Sequence, residues 1–166
     1  MTTELSKRAF LGGAGMATIA IIAALAGCGS EASAEVFEVN LTPDQWRRRL
    51  SPEQFRVLRQ AGTERAGTSP LNSEHRAGLF ACAGCNLPVF RSQDKYDSHT
   101  GWPSFTRPIN GNIRTRPDHS LVIEQTEVHC RRCGGHLGHV YDDGPPPRGQ
   151  RWCINGVSLR FVAGGA

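Results

Sequence analysis

Two pairs of cysteines constrain this chain more than any other feature. Cys82 and Cys85 form "CAGC", Cys130 and Cys133 form "CRRC", and 44 residues separate the two knuckles. Each tight C-x-x-C turn presents two thiolates about one metal diameter apart, and two such turns make the usual tetrahedral four-sulfur zinc site. Gly84 in the first knuckle, and Gly134 and Gly135 after the second, supply the loose backbone these turns need. Four thiolates leave no open coordination position, so one zinc per chain would hold the fold and do no chemistry. Two structural disulfides or one redox-active pair would use the same cysteines and stand as the alternatives.

The pattern around the knuckles is that of short strands. "LPVF", "SLVIEQTEV", "HLGHVY", "RWCIN" and "VSLRF" are apolar runs broken by Gly, Pro, Asn and Asp, which predicts a small antiparallel β domain over roughly residues 78–162. Ahead of it lie two helix-start signals. Thr42, Pro43 and Gln45 form a capping-box pattern with proline at the first helical position, and Ser51, Pro52 and Gln54 repeat it. Phe55 and Leu58 fall on one face of the second helix, which is expected to stop near Gly62.

The N-terminus carries signals of another kind. Residues 1–27 have a signal-peptide shape: Lys7 and Arg8 precede the apolar run "FLGGAGMATIAIIAALAG". "LAGC" then resembles a bacterial lipobox, which would make Cys28 the acylated mature N-terminus; a cut after Ala34 would give an unlipidated product instead. "SKRAFL" looks like a twin-arginine export signal with Lys7 in an arginine position. A single membrane anchor is the alternative for this run. Residues 28–40 read as a small, polar tether, leaving residues 41–166 as one domain. The expected setting is a bacterial periplasm or cell envelope, with membrane contact only through an acylated Cys28. A net charge of +4, scattered rather than clustered, does not favour nucleic acid as a partner.

Four cysteines for zinc and one for lipid leave Cys153 in "RWCIN". A thiol becomes a strong nucleophile when neighbouring charge or donors stabilise its thiolate. Arg151 and Asn155 stand two residues to either side, on the same strand face as Cys153. His136 and His139 in "GGHLGHVYDDG" can move protons near neutral pH. Their spacing does not place them on one strand face, so the run must bend at Gly138 if both serve one site. A buried core cysteine beside a surface arginine, with the histidines near the metal, is the plainer reading of the same residues.

Together, "CAGC", "KYDSHTGWPSF", "CRRCGGHLGHVYDDGP" and "RWCINGVSLRF" resemble the methionine-R-sulfoxide reductases, the B-type family, over roughly residues 41–162. The resemblance implies a fold of two antiparallel sheets with short N-terminal helices and one structural zinc. It matches Cys153 to the cysteine that attacks the sulfoxide sulfur, with Asn155 and Arg151 shaping its surroundings. His136 and His139 match the two active-site histidines, His139 being the one expected to protonate the sulfoxide oxygen. Trp102 matches the ring that holds the S-methyl group, and Asp143 an acidic residue of the same pocket. The implied reaction leaves a sulfenic acid on Cys153, reduced by a small thiol or thioredoxin-like protein, and the implied partners are oxidised proteins acted on by a monomer.

The chain departs from that pattern in several places. Thr100 stands where many members have a resolving cysteine, Asp142 where proline is common, and Gly156 where a small side chain is usual; "GTERAGTSP" lacks an aromatic often found there. A zinc-ribbon interaction module would explain the paired knuckles but leaves "GWPSF" and "RWCIN" without purpose. A thiol-disulfide exchanger would contain no stoichiometric metal.

Overall fold

Both capping boxes form. In the computed structural model, which describes residues 35–119 and 124–164, α1 spans Pro43–Arg49 and α2 spans Pro52–Gln60. At each start the hydroxyl of Thr42 or Ser51 accepts from the N3 amide while the N3 glutamine side chain accepts from the cap's own amide. The second helix ends at Gln60, two residues before Gly62, with its C-cap Ala61 in the left-handed conformation at φ 52°. Val57 and Leu58 form its buried face, and Phe55 is partly buried beside them. No helix among the described residues is long and apolar enough to cross a membrane.

The strands follow in chain order: β1 Gly78–Cys82, β2 Pro88–Arg91, β3 Lys95–Tyr96, β4 Ser104–Phe105, β5 Ile113–Asp118, β6 Gln125–Cys130, β7 His136–Tyr141, β8 Arg151–Ile154 and β9 Leu159–Ala163. They form two antiparallel sheets, β2-β1-β9 and β3-β4-β8-β7-β6-β5. The expected fold class of two antiparallel sheets with short N-terminal helices is therefore found. Phe80, Phe90, Phe105, Leu137 and Ile154 are fully buried in the core, where Phe90 stacks on Phe105 with centroids 4.2 Å apart.

The structure redraws three elements. "VSLRF" opens as a 3₁₀ turn, Gly156–Ser158, before β9 begins at Leu159. The start of "SLVIEQTEV" lies outside the described residues, and β6 extends two residues past its end to Cys130. Strand β5 has no apolar alternation and carries Pro117, which is tolerated because β5 is the sheet's edge.

The last residues of the span read as a tether make contacts of their own. Residues 35–39 lie fixed against the domain: Glu35 bonds Arg114 at 2.6 Å and His129 Nε2 at 2.9 Å, and the Val39 amide donates to the Arg132 carbonyl. Phe37 covers Gly134 and meets the His129 ring edge-on. A short apolar residue set between two glutamates is polar in composition, yet it finds complementary arginines and an apolar shelf. The signal segment at residues 1–27, Cys28 and the cut after Ala34 lie outside the described residues.

Candidate active site and metal centre

The two knuckles meet. Cys82 and Cys85 leave the end of β1, Cys130 and Cys133 the end of β6, and their four sulfurs lie within 4.8 Å of one another. The contacts Cys82···Cys133 at 3.7 Å and Cys85···Cys130 at 3.5 Å are far beyond a disulfide bond. They match the ~3.8 Å sulfur spacing of a tetrahedron with 2.3 Å zinc–sulfur bonds. All four cysteines are buried. Mutual S–H···S bonding holds Cys85 and Cys130 below the ordinary thiol range and Cys82 and Cys133 above it. A divalent cation satisfies all four as thiolates, so the donor set fits zinc.

Cys153 sits elsewhere, on β8 in the interior of the larger sheet. Its register partners are His139 on β7 and Ser104 on β4. A cavity of about 360 Å³ opens over it, lined by Trp102, Asp118, Gln125, His139, Tyr141 and Asn155 among others. Gly138 is essential to this arrangement, because a Cβ there would stand 2.1 Å from the Cys153 carbonyl oxygen. The β6–β7 register also shifts here: Val128 faces Gly138 while the next residue, His129, faces His136. The bulged residue is Leu137, next to Gly138, and the His136 and His139 rings stand 5.3 Å apart although only His139 lines the cavity.

The two histidines differ in place. His139 lines the cavity and its Nε2 lies 2.8 Å from Asp118 Oδ2. His136 is buried behind it, with Nδ1 2.8 Å from Glu127 Oε1. Burial pushes the Glu127 carboxyl up, but hydrogen bonds from His136 and Arg116 outweigh it and hold the group at about 2.

Around the sulfur, opposing effects meet. Burial pushes the Cys153 thiol up, and this wins over Arg151, Thr100 and Ser104, which pull it down. Thr100 Oγ1 is 4.0 Å from the sulfur and continues a hydroxyl chain through Ser98, at 2.8 Å, to Ser104, at 2.7 Å. Arg151 lies over the Tyr141 ring at 4.4 Å and grips Asp143 through two 2.8 Å bonds. Asp143, expected in the substrate pocket, does not line the cavity. Its Arg151-paired carboxylate is mostly exposed and borders a neighbouring depression with Ser98 and Thr100.

Cys153, His139, Asn155 and Trp102 thus share one cavity, whereas His136, Arg151 and Asp143 flank it. The SelR domain family matches residues 50–163. The chain belongs to the SelR family. Among curated relatives, the peptide methionine sulfoxide reductase MsrB of Leptospira interrogans is 48% identical over 126 residues, covering 75% of this chain and 96% of that protein. Its counterpart from Thiobacillus denitrificans is 51% identical over 121 residues, with 72% and 92% covered. The Pseudomonas putida MsrB is 51% identical over 126 residues, with 75% and 94% covered. The resemblance to B-type reductases is borne out. A solved Mis18 "Yippee-like" domain is a looser likeness, with TM-score 0.43 and 18% identity over 55% of this chain and all of that one.

Sequence reasoning missed several residues that line the cavity: Ala61 and Thr63 after α2, Asp118 at the end of β5, and Gln125 at the start of β6. Tyr141 lay within a quoted motif without a role. Asp118 had no local signal, since it reaches His139 only because β5 and β7 both flank β6.

Proposed function

We propose that this protein reduces the R epimer of methionine sulfoxide, chiefly in oxidised proteins, through a sulfenic acid on Cys153. The observation that carries the reading is the pairing of Cys153 with His139 across adjacent strands, beneath a cavity walled by Trp102. The apolar ring takes the S-methyl group, and the polar side of the cavity takes the oxygen. Because burial keeps the thiol protonated, the thiol's own proton can be the one the oxygen needs. His139, oriented by Asp118, accepts it as the sulfur attacks and passes it to the departing oxygen. The new S–O bond on Cys153 forms as the S–O bond of the substrate breaks, so methionine leaves and Cys153–SOH remains with atoms and charge in balance.

Recycling needs an outside thiol. Thr100 and Ser104, the hydroxyls at the sulfur, cannot form a disulfide, and the other described cysteines are those of the buried cluster. Zinc held by Cys82, Cys85, Cys130 and Cys133 would supply a structural clamp. The leader-like N-terminus supports an enzyme working outside the cytoplasm, at the envelope if Cys28 is acylated.

Separated epimers test the reading. With a dithiol reductant, turnover is expected on the R epimer of a methionine sulfoxide peptide and not on the S epimer. One equivalent of R epimer without reductant should leave a single trapped sulfenic acid on Cys153 by intact mass. Equal turnover of both epimers, or a disulfide to a cluster cysteine with loss of metal, would sink it.

A further inference from the structure

Glu64, in the link after α2, is almost wholly buried and touches no reacting atom. Its hydrogen bonds nonetheless converge on the cavity from both sides. The Glu64 amide donates to Asn155 Oδ1 at 2.9 Å, and its carbonyl accepts from Trp102 Nε1 at 3.1 Å. The side-chain carboxyl accepts from the Gly156 amide through one oxygen and from the Val157 amide, at 2.9 Å, through the other. Each of these bonds spans at least 38 positions of sequence. A polar side chain is not buried this deeply unless its acceptors are used, and here both are.

The Asn155 amide is fixed at both ends, because Nδ2 donates to the Leu137 carbonyl at 3.0 Å. The space for this fit comes from Gly156. A Cβ there would fall 1.8 Å from Ser69 Oγ and 3.2 Å from Glu64 Oε1, so the glycine that departs from the family pattern is where the Glu64 loop closes on the end of β8.

We infer that Glu64 is a positioning residue for the reduction, its carboxyl locking residues 156–157 to the loop so that the backbone of this one residue, through its N–H and its C=O, fixes Trp102 against Asn155. The inference rests on the reading proposed above. Trp102 walls the cavity and Asn155 follows Cys153 by two residues, so Glu64 sets how far the methyl wall stands from the attacking sulfur. Misplacement of a binding wall by about 1 Å can cost on the order of 10²-fold. That distance is also what separates one epimer from the other.

Glu64→Gln keeps the size but gives up one of the two acceptors. It is expected to raise KM for the R epimer about tenfold, with a smaller fall in kcat and a lower R-over-S preference. Zinc per chain should not change, and Glu64→Asp should recover part of the loss. Parent-like KM and preference, or a fall in kcat that only tracks the zinc-loaded folded fraction, would overturn the inference. If Glu64→Gln does not fold, the decision passes to Glu64→Asp combined with Trp102→Phe, which removes the Nε1 bond and keeps a ring. Effects on KM that are less than additive are expected, and strict additivity overturns the coupling. A parent inactive on both epimers overturns the functional reading and this inference with it, whereas an active parent with indifferent Glu64 variants removes the inference alone.

Discussion

The molecule uses cysteine in two regions to opposite ends. In the metal cluster four buried sulfurs face one another within 4.8 Å, and each is another's nearest polar partner. In the cavity one half-buried sulfur faces a histidine, two hydroxyls and an arginine. Sulfur surrounded by sulfur gathers a cation, while sulfur surrounded by proton carriers can be oxidised and restored. The difference teaches that a cysteine's role is set by its neighbours across the sheet rather than by the residue.

The sharpest way to break the comparison is to exchange sulfur for oxygen in each region. Cys153→Ser should abolish methionine sulfoxide reduction to below detection while zinc per chain and the thermal midpoint stay at parent values. Loss of zinc in that variant would join the two regions that the structure separates. Cys130→Ser should do the reverse, lowering bound metal and stability together, because structural zinc affinity of roughly 10–16 kcal/mol is also folding free energy. A metal-depleted Cys130→Ser protein that melts with the parent would remove the clamp.

Smaller effects sharpen the division within the cavity. His139→Gln is expected to slow the reductase half-reaction by about 10²–10⁴-fold, the usual range for general acid–base help, and His136→Gln by less. Single-turnover methionine release checks this, and equal rates in both variants would take the histidines out of the mechanism.

His136 has a different test, through Glu127. That carboxyl is depressed in the folded state from 4.5 to about 2. Its stabilising contribution, roughly 3 kcal/mol at 1.36 kcal/mol per pKa unit, is present above the unfolded value near 4.3 and is lost as pH falls through about 2. Glu127→Gln should therefore flatten the acid limb of the stability curve between about pH 4.5 and 2. Parallel limbs in urea titrations of the two proteins would contradict the assignment. The smallest effect concerns Cys153 itself. With its thiol pushed up, alkylation by iodoacetamide should show a midpoint above the ~8.5 of a free cysteine, and Arg151→Ala should raise it further. A midpoint below that value would show the positive charge winning over burial.

What was legible in the sequence was what is local. The capping boxes announce themselves within four residues, and the knuckles within four, so α1, α2 and the four-cysteine cluster could be read directly. Cys153 emerged by subtraction and by the motif around it. Asp118, Glu127 and Glu64 could not, because each acts through partners 9 to 93 positions away that only sheet pairing or loop closure supplies. Strand β5 was missed because an edge strand need not alternate. The contacts of residues 35–39 were not legible because composition does not report which arginines lie opposite two glutamates.

That fastened segment has a mechanical consequence. Glu35 grips β5 and β6, Phe37 lies over Gly134, and the Val39 amide is bonded to the backbone of the second knuckle at Arg132. A force pulling on the chain from upstream of residue 35 is therefore delivered first to β5 and β6 through Glu35, and next to the turn that carries Cys130 and Cys133 through Phe37 and Val39. The strands bearing Cys153 and His139 take none of these contacts and stand further along the load path, behind four cysteines that a zinc ion would tie together.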